Sequence, residues 1–149
     1  MIVVVGCGHP DRGDDAVGLL VAQDVERANL PDVRVELIGT DGLALFQAWD
    51  GCDSCIVIDA MVSGQAPGTV MVLREADWDL LRTPPACSTH SLGPAQALRL
   101  GAALGTLPPN IVVIGVEGAH FEQGAELSSA MRSGIGSATC RVIEEISTS

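Results

Sequence analysis

Ile2-Val3-Val4-Val5-Gly6-Cys7-Gly8-His9-Pro10-Asp11-Arg12-Gly13-Asp14-Asp15-Ala16-Val17-Gly18 is the stretch that decides the fold. Residues 2–6 are a short, solid, mostly β-branched run, the pattern of a strand covered on both faces. Apolar side chains then recur at 16, 17, 20, 21 and 25, a helical spacing over 14–28. Working outward, the same alternation continues to the end. Residues 33–38 read as a second strand, 43–49 as a short helix, 55–60 as a third, buried strand, 69–73 as a fourth and 111–116 as a fifth. Residues 92–104 read as a helix with Ser91 as N-cap and Pro94 in its first turn. Residues 126–146 read as a long amphipathic helix, a pattern weakened by Gly134 and Gly136.

Strands alternating with helices argue a mainly parallel sheet with helices on both faces, a three-layer α/β/α sandwich. One connection differs. Only residues 62–68 join the third and fourth strands, and a parallel crossover needs about a dozen residues or more. The fourth strand is therefore expected to run antiparallel at an edge. No repeat, low-complexity tract or linker interrupts the chain, so residues 1–149 are read as one domain.

Composition bounds the function. Nineteen acidic residues against eight basic ones give a net charge of −11, which disfavours nucleic acid and anionic membrane surfaces as partners. Hydrophobic residues are 47% of the chain, too many for disorder. No apolar run approaches the ~20 residues of a membrane span, and no basic segment followed by an apolar one opens the chain as a leader would. Five cysteines, an odd number, read as reduced thiols in the cytoplasm and not as a disulfide framework.

In an open α/β sheet, ligands bind beyond the carboxyl ends of the strands, and there this chain collects carboxylates and imidazoles. The first loop opens Gly6-Cys7-Gly8, but a dinucleotide fingerprint would need glycine at Asp11, and Asp11, Asp14 and Asp15 would repel a pyrophosphate. Asp15, Asp59 and His90 make a better set, since two carboxylates and an imidazole suit a divalent transition metal with open coordination positions. Asp59 closes a rigid apolar strand, and His90, just before a helix, is expected to be neutral and free to ligate. Plainer readings stand beside these. Asp14 or Asp15 can cap the first helix, Asp59 can serve a turn, and His90 can be structural or exposed. Asp41 is most simply a turn residue, and Glu117 and His120 can be solvated loop residues.

Cys52-Asp53-Ser54-Cys55 lacks the second ligand pair of a zinc site, and Cys55 starts a strand where a redox pair wants a helix N-terminus. Cys7 and Cys87 flank the cleft, as soft extra ligands or as small buried residues. Neither Gly-x-Ser-x-Gly nor His-Glu-x-x-His occurs, and Ser88 two residues before His90 does not make a nucleophile–base pair.

Five ordered motifs resemble the hydrogenase maturation endopeptidases, which trim the C-terminal extension from the large subunit of [NiFe] hydrogenases. They are Gly6-Cys7-Gly8-His9 through Asp14-Asp15-Ala16-Val17-Gly18, Asp41-Gly42, Val57-Ile58-Asp59-Ala60, Ser88-Thr89-His90-Ser91-Leu92-Gly93 and Gly115-Val116-Glu117. The resemblance implies a five-stranded sheet in the order 2-1-3-5-4 with strand 4 antiparallel. It carries the family's metal-binding and catalytic positions onto Asp15, Asp59 and His90, with His9, Asp41 and Glu117 as secondary cleft residues. It further implies a large-subunit precursor as partner and nickel, supplied by that precursor, as the recognition signal, with other divalent metals able to occupy the site. Two positions depart from the family pattern. His9 stands where Asn is usual, able to add a ligand or alter substrate fit. Gly118 stands where Pro often follows the glutamate, and is expected to loosen the loop carrying His120. A non-catalytic nickel carrier on the same fold is the alternative, and a small-molecule metallohydrolase a third reading.

Overall fold

The computed structural model describes residues 1–82 and 92–149. Its strands are β1 (Ile2–Cys7), β2 (Val33–Gly39), β3 (Ser54–Met61), β4 (Val70–Leu73) and β5 (Asn110–Glu117). They form one sheet in the order β2-β1-β3-β5-β4. All neighbours are parallel except β4, which pairs antiparallel with β5 at the edge, Val70 opposite Val116 and Leu73 opposite Val113. The short 62–68 connection forces that reversal, as its length implied. The place of β5 between β3 and β4 has no such local signal, and the resemblance alone implied it.

The helices are α1 (Val17–Arg27), α2 (Leu43–Trp49), α3 (Pro94–Leu104) and α4 (Ser129–Ser147). Val4, Ile56, Ile58 and Ile114 pack one sheet face against α1 and α4 through Val17, Val21, Met131, Ala138 and Val142. Val3, Val5, Cys55, Val57 and Val113 pack the other against α2 and α3 through Leu45, Trp49, Ala97 and Leu98. Every residue of β3 is buried, as expected of a central strand sandwiched between helices.

Three element boundaries correct the sequence reading. Residues 14–28 are not one helix: Gly13–Ala16 form a 3-10 turn and the α-helix starts at Val17. That turn is held from outside, because the Asp14 N–H donates to the His120 carbonyl at 2.7 Å. α3 begins at Pro94 with Gly93 as its N-cap, not at 92 behind Ser91, a residue outside the described ones. Proline disfavours helical geometry in the residue before it, and Gly93 is extended there (ψ 169°). α4 starts at Ser129, not 126, where Ser128 caps it by accepting the Met131 N–H at 3.2 Å. The helix-weakening Gly134 has a packing reason: a Cβ there would lie 3.0 Å from Gly68, at the start of β4. Gly136 has no such neighbour. A 3-10 segment at Glu75–Leu80, not anticipated from periodicity, buries Trp78 in the α2/α3 face.

Candidate active site

The carboxyl ends of β1 and β3 lie side by side, Gly6 pairing with Ile58. From β1 the chain goes one way, to β2, while β3 lies on the other side, so this is the sheet's switch point. Asp59 belongs to β3. The alternation that points Cys55, Val57 and Met61 to the α2/α3 face points Asp59 there too. Asp15 arrives from the 3-10 turn after β1. Both line one small cleft of about 10 Å³, with Gly8, Gly39, Thr40, Arg82 and Pro94. That is near the space of a single water.

Glycines let the backbone come this close. A Cβ on Gly18 would lie 2.2 Å from the Cys7 carbonyl oxygen and 2.3 Å from that of Ile58. Only a bare Cα at the start of α1 therefore lets that helix, and Asp15 before it, sit on the ends of both strands. Gly8, at φ +138°, would place a Cβ 1.9 Å from the Asp15 carbonyl oxygen, so the loop folds back onto Asp15 only with glycine there.

The two carboxylates are nearly sealed, Asp59 2% and Asp15 7% exposed, and among the described residues each accepts one hydrogen bond. Asp15 accepts the His9 backbone N–H at 3.1 Å, and Asp59 accepts its neighbour Ala60's at 2.8 Å. Burial pushes Asp15 above the usual carboxylate range, although the His9 N–H and the charges of Arg82, His9 and Arg12 oppose it. Burial pushes Asp59 up further, reinforced by the charge on Asp15 and only partly offset by the Ala60 N–H and Arg82. Each acid thus disfavours ionisation of the other in a dry pocket.

Other residues singled out in the sequence separate from the pair. Asp14 turns away from the cleft and is fully buried. Its carboxylate accepts the Ala119 and His120 N–H groups at 2.7 and 3.1 Å, the Ser128 N–H at 2.9 Å and the Ser128 hydroxyl at 2.8 Å. Burial acts to raise Asp14, but these hydrogen bonds together outweigh it and hold the carboxyl below its ordinary range. Asp14 is thus a clamp between loops, not a helix cap. Glu117, 3% exposed, is spent likewise: its carboxylate accepts the Ser63 N–H at 3.0 and 3.1 Å and the Ser63 hydroxyl. Neither a solvated loop residue nor a lining residue of the cleft, it ties β5 to the β3–β4 connection. Asp41 accepts the Leu43 N–H at 3.0 Å from an exposed turn, and His9 turns its Nδ1 to the Asp11 N–H at 3.2 Å.

The loop carrying His120 is not loosened by Gly118. It is pinned by Asp14, and Gly118 is needed for packing, since a Cβ there would meet the Phe121 ring at 2.5 Å. Burial pushes the Cys7, Cys52 and Cys55 thiols up, away from thiolate chemistry. His90, Cys87 and Ser88 lie outside the described residues. Among the described residues no three His, Cys, Asp or Glu side chains converge as a metal cage.

Arg82 is the residue sequence reasoning missed. It follows a patternless stretch, yet its backbone N–H donates to the Ala60 carbonyl at 2.9 Å, beside Asp59. Its guanidinium lies 4.2 Å over the Phe121 ring. Its buried Nε has no hydrogen-bond partner among the described residues.

This architecture and paired-acid switch point define a class. The hydrogenase maturation protease family model matches residues 19–145, a span that starts just after Asp15 and contains Asp59. The chain belongs to the hydrogenase maturation protease family. It is 36% identical over 119 residues to the Hydrogenase 2 maturation protease of Escherichia coli strain K12, covering 77% of this chain and 71% of that one. It is 32% identical over 134 residues to the hydrogenase expression/formation protein HupM of Azotobacter chroococcum, covering 88% of this chain. The chain spans only 64% of that relative's length. The solved structure of the hydrogenase maturating endopeptidase HybD from E. coli superposes with a TM-score of 0.79 at 29% identity, covering 99% of this chain and 92% of that one. No helix among the described residues is long and apolar enough to cross a membrane.

Proposed function

We propose that the chain is an endopeptidase that removes the C-terminal extension of a [NiFe] hydrogenase large-subunit precursor, and that it recognises the precursor by the nickel already inserted there. Asp15, Asp59 and His90 complete the coordination of that nickel. The reading is carried by two buried, under-bonded carboxylates facing one small cleft at the switch point of a maturation-protease fold.

The pair suits a client-borne ion for a physical reason. A carboxylate kept dry and short of hydrogen bonds is costly until a cation arrives. An ion carried in by the client supplies that partner and fixes the tail beside it. For the hydrolysis, a water adds to the scissile carbonyl carbon, one carboxylate of the pair takes its proton, and that proton passes to the amine as the C–N bond breaks. Reduced thiols, implied by the odd cysteine count, go with a cytoplasmic reaction.

The test is incubation with a nickel-loaded large-subunit precursor of the hydrogenase encoded alongside, followed by mass measurement. A large subunit shortened by its C-terminal extension is the expected result. Nickel taken up with the precursor left at full mass would instead make the chain a carrier.

A further inference from the structure

Arg82 puts a fixed positive charge where the proposed function puts an ion. It lines the same cleft as Asp15 and Asp59, but no oxygen of either lies within 4.0 Å of its nitrogens, so it is a neighbour of the pair and not a salt-bridge partner. Two contacts hold it there, the second supported from behind. The backbone is tied to Ala60, the guanidinium is stacked on Phe121, and Phe121 has room for its ring because residue 118 lacks a side chain. A guanidinium stays charged at any working pH and prefers planar, stacked settings, so this charge is permanent.

We propose that Arg82 is a specificity-determining residue that screens the Asp15–Asp59 cleft against free divalent cations and admits a metal already held by anionic donors of the client. This rests on the reading of the cleft as a nickel-recognition site. A bare dication meets two carboxylates but is repelled by the guanidinium lining the same cleft, at low effective dielectric. A metal whose charge is largely neutralised by its own anionic donors feels little of that repulsion and keeps the two carboxylate bonds. The screen prevents stray cytoplasmic ions from filling the cleft before the client arrives. Phe121 is the positioning residue, acting only by holding Arg82.

The test is calorimetric titration of the full-length chain with two probes, Ni²⁺ alone and nickel nitrilotriacetate, a net anion with open coordination positions. Arg82→Gln should tighten binding of bare Ni²⁺ at least tenfold while changing that of the nickel chelate less than threefold. Arg82→Lys, which keeps the charge, should stay near wild type for both probes. Adding Asp59→Asn to Arg82→Gln should abolish the gain, which ties it to the cleft. Unfolding curves of each variant establish that it is folded. Equal Ni²⁺ affinity in wild type and Arg82→Gln, where Asp59→Asn still weakens binding, overturns the screen and leaves the cleft's metal role standing. Ni²⁺ binding indifferent to Asp59 in every background overturns both.

Discussion

Asp14 and Asp15 are adjacent in the chain and opposite in what the fold asks of them. Asp14 faces the 118–128 loop and accepts four hydrogen bonds, which hold its carboxyl below the ordinary range. Asp15 faces the cleft with one among the described residues, and burial pushes it up. The contrast repeats across the sheet. Glu117 at the end of β5 is satisfied by Ser63, while Asp59 near the end of β3 has, among the described residues, only its neighbour's N–H. Burial alone does not mark a functional acid, since all four are buried. What separates them is whether the protein itself supplies the partners. Asp14 and Glu117 tie loops around the cleft, whereas Asp15 and Asp59 are the acids that the proposed function assigns to an ion from outside.

The largest effect that can break this contrast is on processing. Alanine at Asp15, Asp59 or His90 should each lower trimming of a nickel-loaded precursor by about a thousandfold or more, with far-UV circular dichroism unchanged. Normal trimming by any of the three removes that residue from the mechanism. Next comes stability on the satisfied side. Asp14→Ala strands the buried N–H of Ser128 and removes the acceptor of the half-buried Ala119 and His120 N–H groups, and should cost about 2–3 kcal/mol in denaturant unfolding. A cost under about 0.5 kcal/mol would mean that the clamp is not structural. Gly18→Ala, which drives a Cβ into two carbonyl oxygens, should cost about 1–3 kcal/mol and lower trimming as Asp15 shifts.

The smallest effect is the most discriminating because its sign is unusual. A carboxyl raised in the folded state opposes folding once it is ionised, so the stability present below its unfolded pKa is lost as pH rises through its folded one. Asp59→Asn should therefore stabilise the chain by about 1 kcal/mol at neutral pH while abolishing trimming, and the gain should vanish as pH falls through the raised Asp59 range. Asp14 has the other sign. Its contribution is present above the unfolded pKa and lost as pH falls through the depressed folded one. Unfolding measured against pH for the two variants thus gives curves that diverge in opposite directions, and a destabilised Asp59→Asn at neutral pH would erase the distinction.

The strands and most helices were legible because buried β-branched runs and 3.6-residue periodicity are local patterns, and strand 4's direction followed from a loop too short for a crossover. The pairing of Asp15 with Asp59 was legible from strand-end logic, since both follow strands that a βαβ order brings together. The division of labour between Asp14 and Asp15 was not. Either can cap a helix, and only the distant Ala119, His120 and Ser128 decide which is spent. Glu117 was misjudged for the same reason, because Ser63 lies 54 positions away. Arg82 had no motif to announce it: its importance comes from Phe121 and Ala60, contacts made only in three dimensions. Gly118 suggested a loose loop because a missing side chain implies freedom, whereas here it makes room for an aromatic ring.

The most direct measurement is a crystal structure of the chain grown with excess Cd²⁺, with the ion located by anomalous scattering. The account predicts one ion bonded at once to the carboxylates of Asp15 and Asp59 and to the imidazole of His90. A cleft in which the two carboxylates bind no common ion, or in which the ion takes other donors and ignores His90, would contradict it.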